Sequence, residues 1–344
     1  MSHSDDAWRN ERELAVAAVR HASRLTRAVQ AAWTAEQGAG KQDGSPVTIA
    51  DYGAQAIIGR YLAAAFPHDT VVAEESSQAL RDEPALLAQL LPAVSAVDDR
   101  FADADSLLRA IDQGAPASDD APLPARYWTI DPVDGTRGFV RGEHYSVVLA
   151  LIDNGRVVVG AMGCPGMPRE GTAIDQHAPD DGVIFSATLG GGATMEPTEQ
   201  VDASSGGATR VAVSASMPGD ARYRACESVE AGHTDPTTAA AIYRHAGLTV
   251  DPLRMDGQGK YGLVARGDVA VYLRVHHKPR TENIWDHAAG VLIVTEAGGR
   301  VSDFAGNAID WTAGRRFQPV GGILVTNGVA HDRLLKSIAD VRNG

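Results

Sequence analysis

Two apolar runs joined by an Asn-Gly dipeptide constrain the fold of this chain more than any other feature. The segment YSVVLALIDNGRVVVGAMGCP, at 145–165, carries aliphatic residues on both sides of Asn154-Gly155. Asn-Gly between two such runs is the strongest short-range signal for a two-residue β-hairpin. The later segment GVIFSATLGGGATM, at 182–195, adds further strand-like runs around a Gly-rich turn. The sequence therefore predicts an antiparallel meander of three or four strands.

The segments before the meander predict two helices and a short strand. Apolar or small residues recur with a period near 3.6 over residues 8–34, which indicates an amphipathic helix. A second amphipathic helix is expected to open near Asp51, after a Gly/Ser/Pro loop. The segment DTVVAEESS predicts a short strand that ends in Glu74-Glu75. Helical pieces and a Pro/Asp-rich loop fill the long segment 76–126.

A chain of 344 residues exceeds an ordinary single domain, so two subdomains or one large layered domain are expected. Residues 196–209, EPTEQVDASSGGAT, shift to polar and small side chains. After them the strand-like runs RVAVSAS, VAVYLRV and GGILVTN alternate with helical stretches, which is an α/β pattern. We therefore expect a first subdomain over 1–205, with an antiparallel sheet between helices, and a smaller α/β subdomain over 206–344.

The charge and the apolar content exclude several classes of partner. The net charge of −13 disfavours nonspecific binding to nucleic acid or to an anionic membrane, because both depend on basic surface. No apolar run approaches the ~20 residues that span a bilayer, and the start MSHSDDAWRN lacks the features of a signal peptide. A cytoplasmic location is expected. Cys164 and Cys226 are too few for a disulfide framework and are expected to be buried small hydrophobes.

Four acidic features lie at predicted ends of helices and strands. They are Asp51, the pair Glu74-Glu75, the aspartates Asp131 and Asp134 around Pro132, and Asp286 in WDHAAG. Each alone has an ordinary explanation, because an acidic residue in a first helical turn complements the helix dipole and Asp-Gly is common turn chemistry. Together they match a magnesium site, since Mg²⁺ requires hard oxygen ligands and carboxylates from several segments can supply them with phosphate oxygens.

The short stretch around Pro132 is suited to supply several of these ligands. Proline biases Asp131 toward an extended backbone, and the following turn can bring both aspartates and the Val133 carbonyl to one side. Thr136 would then begin a helix, where its hydroxyl and the backbone N–H groups can meet a phosphate or orient a water. An anionic substrate of so acidic a chain also requires local cations or bound metals that reverse the field.

Four segments carry a resemblance to a known family: SPVTIADYGAQAII, VVAEESS, the run from WTIDPVDGT to GAMGCP, and IWDHAAGVLIVTEAGG. In this order, between Asp43 and Gly299, they resemble the inositol monophosphatase superfamily of lithium-sensitive, Mg²⁺-dependent phosphomonoesterases. The extension GTRGFVRGEHYSV and the long segment between Glu75 and Asp131 resemble its 3'(2'),5'-bisphosphate nucleotidase branch. The resemblance implies an α/β (α+β) fold, the layered α/β/α/β/α sandwich of the inositol monophosphatase and fructose-1,6-bisphosphatase type.

The resemblance also implies roles for individual residues. The implied metal ligands are Glu74, Asp131, the Val133 carbonyl, Asp134 and Asp286. Asp51 and Thr136 would position and deprotonate the attacking water, and the implied substrate contacts are Thr136, His233, Lys260, Arg274 and Asp286. Carboxylates clustered near ~4 Å repel by roughly 4 kcal/mol per pair at an effective dielectric of ~20, so two to three Mg²⁺ ions are expected.

The activity that the resemblance implies is hydrolysis of the 3'-phosphate of adenosine 3',5'-bisphosphate to AMP, with 3'-phosphoadenylyl sulfate as a further substrate and a place in sulfur metabolism. Two alternatives stay open. One is an inositol-phosphate or other sugar-phosphate phosphatase of the same fold. The other is a noncatalytic nucleotide sensor, against which the retention of Asp51, Asp134 and Thr136 argues.

One position departs from the family pattern. Relatives often carry serine where this chain has Gly257, so a hydroxyl contact to the substrate is missing or replaced. The same stretch, GQGKYG, matches the GxGxxG pattern of dinucleotide-binding loops. That fingerprint requires a strand that leads directly into it. The preceding DPLRMD is a poor strand by composition, so the match is interpreted as chance.

Overall fold

A computed structural model describes residues 7–37, 46–113, 122–169, 176–199, 207–229, 235–276 and 278–343. Its first half is built on a seven-stranded sheet with strands in sequence order. The strands are β1 (Thr70–Ala73), β2 (Arg126–Asp134), β3 (Ser146–Asp153), β4 (Arg156–Pro165), β5 (Gly182–Thr188), β6 (Gly192–Pro197) and β7 (Thr209–Arg210). β1 pairs with β2 in parallel, and the later neighbours pair antiparallel.

The predicted Asn-Gly hairpin is confirmed between β3 and β4. Asn154 and Gly155 both have positive φ, at 48° and 71°, the combination that a type I′ turn requires. The flanking strands are buried on both faces, so they are nearly continuous apolar runs. One core contains Val147, Leu149 and Leu151, and another contains Val148, Ala150 and Ile152. This alternation follows from the two-residue period of a strand.

Helices cover the outer face of this sheet. They are α1 (Arg9–Gln37), α2 (Pro46–Ala65), α3 (Gln78–Asp82), α4 (Pro84–Ser95) and α5 (Ala104–Asp112), and α6 (Thr136–Val140) follows β2. The first core lies between α1, α2, α4, α5 and the sheet. The Pro/Asp-rich loop expected near 115–124 falls largely outside the described residues.

The second half is a five-stranded mixed sheet in the order β12-β14-β10-β8-β9. Its strands are β8 (Arg224–Glu227), β9 (Val250–Arg254), β10 (Val271–Val275), β12 (Arg300–Asp303) and β14 (Gly322–Thr326), and a separate pair is formed by β11 (Glu282–Asn283) and β13 (Arg316–Phe317). The helices are α7 (Pro236–Ala246), α8 (Gly259–Ala265), α9 (Ala288–Glu296) and α10 (His331–Asn343). The helix α7 is delimited by its own sequence, with the Asp235 carboxylate accepting from the N–H groups of Thr237 and Thr238, and Gly247 in the left-handed conformation at its end.

Five layers pack around three cores, which confirms the α/β/α/β/α sandwich. The helices α8 and α9 lie between the two sheets, and the second core contains residues of both sheets and of both helices. The third core lies under α7 and α10 on the far face of the second sheet. Cys164 and Cys226 are free and buried, as expected. Among the described helices, none combines the length and the apolar composition that spanning a bilayer requires.

Three expectations about single elements are wrong. The helix α2 begins at Pro46, because proline is favoured at a first helical position, so Asp51 lies inside the helix and does not complement its dipole. Of the run RVAVSAS only Arg210 lies in a strand; Val211 donates to the Ala193 carbonyl and Val213 to that of Ala297, so the segment crosses from the first sheet to the end of α9.

The third error concerns DPLRMD, whose first residues lie in β9. This strand pairs with β8 on one side only and lies at the edge of the sheet. An edge strand tolerates Pro252, because a missing N–H on the solvent side removes no ladder hydrogen bond.

Candidate active site

A cavity of about 220 Å³ lies where the carboxyl ends of β1 and β2 meet the start of α6, the loop before α8, the strand β10 and the single turn at Ile284–Asp286. Its walls include the predicted residues Glu74, Asp131, Val133, Asp134, Thr136, Lys260, Arg274 and Asp286. Asp51 lies behind this wall and is buried, close enough for repulsion between its carboxylate and that of Asp131. His233 falls outside the described residues.

A bulge at the end of β2 presents the two aspartates to the cavity. Asp131 pairs with Val148 and Asp134 pairs with Ser146, so β2 has one residue more than β3 over this stretch. Pro132 within the bulge has no N–H to give to a ladder, and bulges near sites re-aim side chains. Gly135 then turns the chain at φ 91°, where an added Cβ would lie 2.7 Å from the backbone nitrogen of Gly257. Only glycine fits this turn.

The side chain of Gln55 decides which of the paired glutamates enters the cavity. It is fully buried in α2 and clamps the Glu75 backbone, accepting from its N–H at 3.0 Å and donating to its carbonyl at 2.8 Å. The Glu75 carboxylate contacts the Tyr52 hydroxyl, which raises the pKa of Tyr52 further, after the larger effect of burial. Glu74 lines the cavity instead. The geometry therefore favours Glu74 over Glu75 as a site residue.

Burial and mutual repulsion dominate the electrostatics of the cavity. Desolvation, with repulsion from Glu75 and Asp134, raises the pKa of Glu74 to about 7. Desolvation also raises the pKa values of Asp131 and Asp286 well above the ordinary range, and repulsion from neighbouring carboxylates adds to both shifts. Burial raises the pKa of Asp51 in the same way. A group of carboxylates held against its own repulsion is suited to bind cations.

The fit to a divalent cation rests on one atom in particular. Within the described part of the chain, the buried Oδ1 of Asp131 has no hydrogen-bond partner. An unsatisfied buried carboxylate oxygen is costly, and a metal ion is a ligand that removes the cost. The donor set is entirely oxygen, which suits Mg²⁺ better than Zn²⁺. The residues present therefore fit the metal that the resemblance implies.

A second acidic group adjoins the cavity and has a different role. Among the described residues, ligand atoms of Glu282, Asp286 and His287 lie within 4.8 Å of one another. The carboxylate of Glu282 already contacts Arg274 at 2.8 Å and His276 at 2.7 Å, while the Nδ1 of His287 is 2.7 Å from the Tyr261 hydroxyl. We interpret Glu282 and His287 as members of an ion-paired network, since Arg274 and His276 contact the Glu282 carboxylate and the Tyr261 hydroxyl contacts the His287 ring.

Burial alone would raise the pKa of Glu282, but contacts from His276 and His287 and the charge of Arg274 lower it below its usual range. Glu282 is thus a permanent anion that fixes Arg274 at the cavity wall. Glu282 stands in no recognisable sequence motif, because its neighbours in the chain show neither helical nor strand periodicity. Only the pairing of β11 with β13 brings it beside β10.

The other predicted cation is held by backbone. Lys260 is 4% exposed, and its Nζ donates to the carbonyls of Gly257 at 2.6 Å and Met255 at 3.1 Å. Burial lowers its pKa, and the charges of Asp134 and Asp256 oppose that effect. Five more side chains on the cavity wall are not predicted from the sequence, namely Arg137, Ser228, Asp256, Gln258 and Tyr272. Arg137 directly follows the predicted site residue Thr136, and this adjacency is the sequence signal that could have identified it.

The GxGxxG match has a packing explanation, although β9 does lead toward it. Gly257 has φ 72°, and an added Cβ would lie 2.8 Å from the Asp134 carbonyl oxygen. At Gly259 and Gly262 an added Cβ would lie 2.7 Å from the Met167 side chain and 2.5 Å from the Phe185 ring. All three glycines thus allow α8 to approach the first sheet and β2, which accounts for them without a dinucleotide.

Comparison with known proteins agrees with this fold. The model of the inositol monophosphatase family matches residues 9–343. The chain belongs to this family of metal-dependent phosphatases. Among solved structures, an inositol monophosphatase from Thermotoga maritima covers 97% of this chain and 98% of its own, with a TM-score of 0.59 and 21% identity. CysQ from Bacteroides thetaiotaomicron covers 94% and 98%, with a TM-score of 0.55 and 18% identity. These two likenesses support the fold.

Curated relatives are more similar in sequence. A 3'(2'),5'-bisphosphate nucleotidase of Oryza sativa is 39% identical over 349 residues, covering 95% of this chain and 94% of the relative. A 3'(2'),5'-bisphosphate nucleotidase of Emericella nidulans is 37% identical over 360 residues, covering 97% and 99%. The chain is thus an enzyme of the phosphatase type, similar over nearly its whole length to proteins of that name.

Proposed function

We propose that this protein is an Mg²⁺-dependent 3'(2'),5'-bisphosphate nucleotidase that removes the 3'-phosphate of adenosine 3',5'-bisphosphate. The observation that carries the proposal is the cavity itself, in which four carboxylates with raised pKa values face a wall that holds Lys260 and Arg274. Carboxylates with two to three Mg²⁺ ions would bind the 3'-phosphate that is hydrolysed. Lys260 and Arg274 would bind the second phosphate, which remains on the product. The names of the relatives from rice and Emericella nidulans support the same substrate.

We assign the metal ligands to Glu74, Asp131, the Val133 carbonyl, Asp134 and Asp286. Bound Mg²⁺ would supply charge neutralisation for the phosphoryl group and acidify a water. Thr136 is exposed at the cavity and its hydroxyl donates to the Val133 carbonyl at 3.2 Å, so its oxygen can accept a hydrogen bond from a water. Asp51 would assist from behind the wall, because its raised pKa makes it a better proton acceptor than an ordinary aspartate.

The second phosphate and the sugar would meet the opposite wall. We propose Lys260 and Arg274 as its sources of positive charge, with Thr136 and Asp286 contacting the substrate at the metal side and His233 kept as a prediction. The exposed Arg137 at the mouth of the cavity is a further candidate. Each charge-assisted hydrogen bond contributes ~1.5–3 kcal/mol, so these cations favour a bisphosphate over a monophosphate.

Phosphate release from adenosine 3',5'-bisphosphate and from inositol 1-phosphate, each with Mg²⁺ and with chelator, tests the proposal. We expect turnover of the bisphosphate alone, abolished by chelator and inhibited by lithium. Preferential turnover of inositol 1-phosphate would replace the substrate and leave the phosphatase assignment in place. Binding of the bisphosphate without any turnover would indicate a nucleotide sensor.

A further inference from the structure

Arg315 lies between the two segments that carry Glu74 and Asp286. Its Nη2 donates to the carbonyl of Ala73 at 3.0 Å, and Ala73 is the last residue of β1, directly before Glu74. Its guanidinium carbon lies 5.1 Å from the centre of the Trp285 ring, directly before Asp286. The two contacts use different parts of one rigid, planar group, its edge for the carbonyl and its face for the ring.

The backbone around Arg315 is fixed as firmly as its side chain. The carbonyl of Arg315 accepts from the Ile284 N–H at 3.0 Å, and the next residue, Arg316, pairs with Asn283 in the β11–β13 ladder. The Trp285 carbonyl accepts from the Gln258 side chain at 2.9 Å. Arg315 is therefore tied by main chain to the turn that holds Asp286, and by side chain to the last residue of the strand that precedes Glu74.

These two segments come from different sheets. Glu74 follows β1, an edge strand of the first sheet, whereas the turn at Ile284–Asp286 follows β11 of the separate β11–β13 pair. Glu74 and Asp286 both lie on the wall of the cavity. A single side chain that contacts the neighbour of each can set the distance between their carboxylates.

We propose that Arg315 is a positioning residue that holds Glu74 and Asp286 at the separation which a shared metal site requires. The proposal rests on their assignment as metal ligands under the proposed function. Outer groups that orient ligands typically change metal affinity by 10–100-fold. Arg315 also lines a separate cavity of about 650 Å³ on its far side, so water can enter when the side chain is shortened and the surroundings need not collapse.

The test is titration of the full chain with Mg²⁺ by isothermal calorimetry, in the absence of substrate. For Arg315→Ala we expect about tenfold weaker Mg²⁺ binding. The variant should still fold and should keep its metal-binding sites. Arg316→Ala is the matched control, because it removes the same charge at the next position while Arg315 keeps its contacts with Ala73 and Trp285; its affinity should equal that of the parent. Saturating Mg²⁺ should restore most of the turnover of Arg315→Ala.

Two further variants make every outcome decisive. Arg315→Lys keeps a donor for Ala73 but loses the flat face, so its affinity should lie between those of the parent and Arg315→Ala, and it decides the question should the alanine variant not fold. Glu74→Gln should weaken Mg²⁺ binding more than any of them. If Glu74→Gln weakens binding and the Arg315 variants do not, Arg315 has no positioning role. If Glu74→Gln has no effect, the ligand assignment itself is wrong.

Discussion

At the scale of single residues, Gly257 shows how a departure from a family pattern follows from the backbone. Its φ of 72° places a Cβ 2.8 Å from the Asp134 carbonyl oxygen and 3.1 Å from the Ser146 nitrogen. A serine here would press on the strand that carries Asp134. The close contact between the loop before α8 and the end of β2 therefore explains why this chain has glycine, without the hydroxyl that serine would supply.

We expect Gly257→Ala to cost about 1–3 kcal/mol of unfolding free energy, because the residue would be held in the left-handed region against a backbone oxygen. Chemical denaturation measures the cost. Gly314→Ala is a control, since that glycine also has positive φ but an added Cβ meets no atom within 4 Å. Equal losses in both variants would show that conformation alone, and not the contact with Asp134, sets the cost.

A second prediction concerns the choice between carboxylates. Asp134→Asn and Glu74→Gln should each lower kcat by at least about 100-fold, more than outer-shell partners typically do, because each removes the charge of a proposed metal ligand with little change in volume. Glu75→Gln should have a much smaller effect, since its backbone is held by Gln55 and its carboxylate faces Tyr52. Steady-state assays at saturating Mg²⁺ compare them. Greater damage from Glu75→Gln would reverse the assignment.

A third prediction concerns the cations. Arg137→Ala, Lys260→Ala and Arg274→Ala should each reduce kcat/KM for adenosine 3',5'-bisphosphate more than for the monophosphate 2'-AMP, by about 10-fold or more, if each loses one charge-assisted contact. The ratio of kcat/KM for the two substrates is the measurement, because loss of folded protein lowers both equally. Unchanged ratios in all three variants would mean that the second phosphate is bound elsewhere.

At the scale of elements, the sequence predicts those whose signal is local. The β3–β4 hairpin follows from Asn154-Gly155, and α7 follows from Asp235-Pro236 and Gly247. Elements that depend on a neighbour were mispredicted. β9 contains a proline that its edge position tolerates, and the apolar run after Arg210 is recruited by the Ala193 and Ala297 carbonyls, which lie far away in sequence.

The site divides in the same way. The acidic residues stand in recognisable motifs; Glu74, Asp131, Asp134 and Asp286 line the cavity, and Asp51 lies behind its wall. Gln55, Glu282 and Arg315 stand in no motif, because their roles arise from contacts between segments that are distant in the chain. Nothing in the spacing of such residues distinguishes them from ordinary polar positions.

The start of α10 provides a prediction about pH. His331 is fully buried, with Nε2 2.9 Å from the Ser302 hydroxyl and Nδ1 3.0 Å from that of Thr326. Ser302 donates to the Asp303 carbonyl, so its oxygen can only accept, and we infer that His331 carries its proton on Nε2. Burial, with the charge of Arg300, lowers the pKa of His331 to about 4.

A lowered pKa means that the unfolded chain binds the proton more tightly than the fold does. The stabilisation from neutral His331 is therefore fully present above pH ~6.5 and is lost as pH falls toward 4, by roughly 3 kcal/mol in total. We expect His331→Gln to flatten this fall in denaturation curves between pH 7 and 5. The exposed His68→Gln is the control. An equally steep fall in all three proteins would assign the loss to other groups.

At the scale of the whole molecule, the two halves share one core. The second core joins Val148 and Phe185 of the first sheet to Tyr272 and Val325 of the second, through Leu263 and Ile293 of the helices between them. The first sheet also takes in Thr209–Arg210. We keep the boundary at 205/206 as a proposal about sequence organisation.

We expect a single cooperative unfolding transition, with equal calorimetric and van't Hoff enthalpies, because neither half buries its inner face alone. Residues 1–205 expressed separately should expose that face and bind a hydrophobic dye. Two resolved transitions, or a fragment that unfolds cooperatively, would show that the halves are independent domains.

The helices α8 and α9 have a consequence for how a ligand is captured. Because they pack against both sheets, the sheets cannot move apart without exposing apolar side chains. The width of the cavity is therefore fixed in the folded protein. Capture then needs no slow closing step. In stopped-flow mixing, the observed binding rate should rise in direct proportion to ligand concentration and show no plateau, so residence time is set by how quickly the bound ligand escapes.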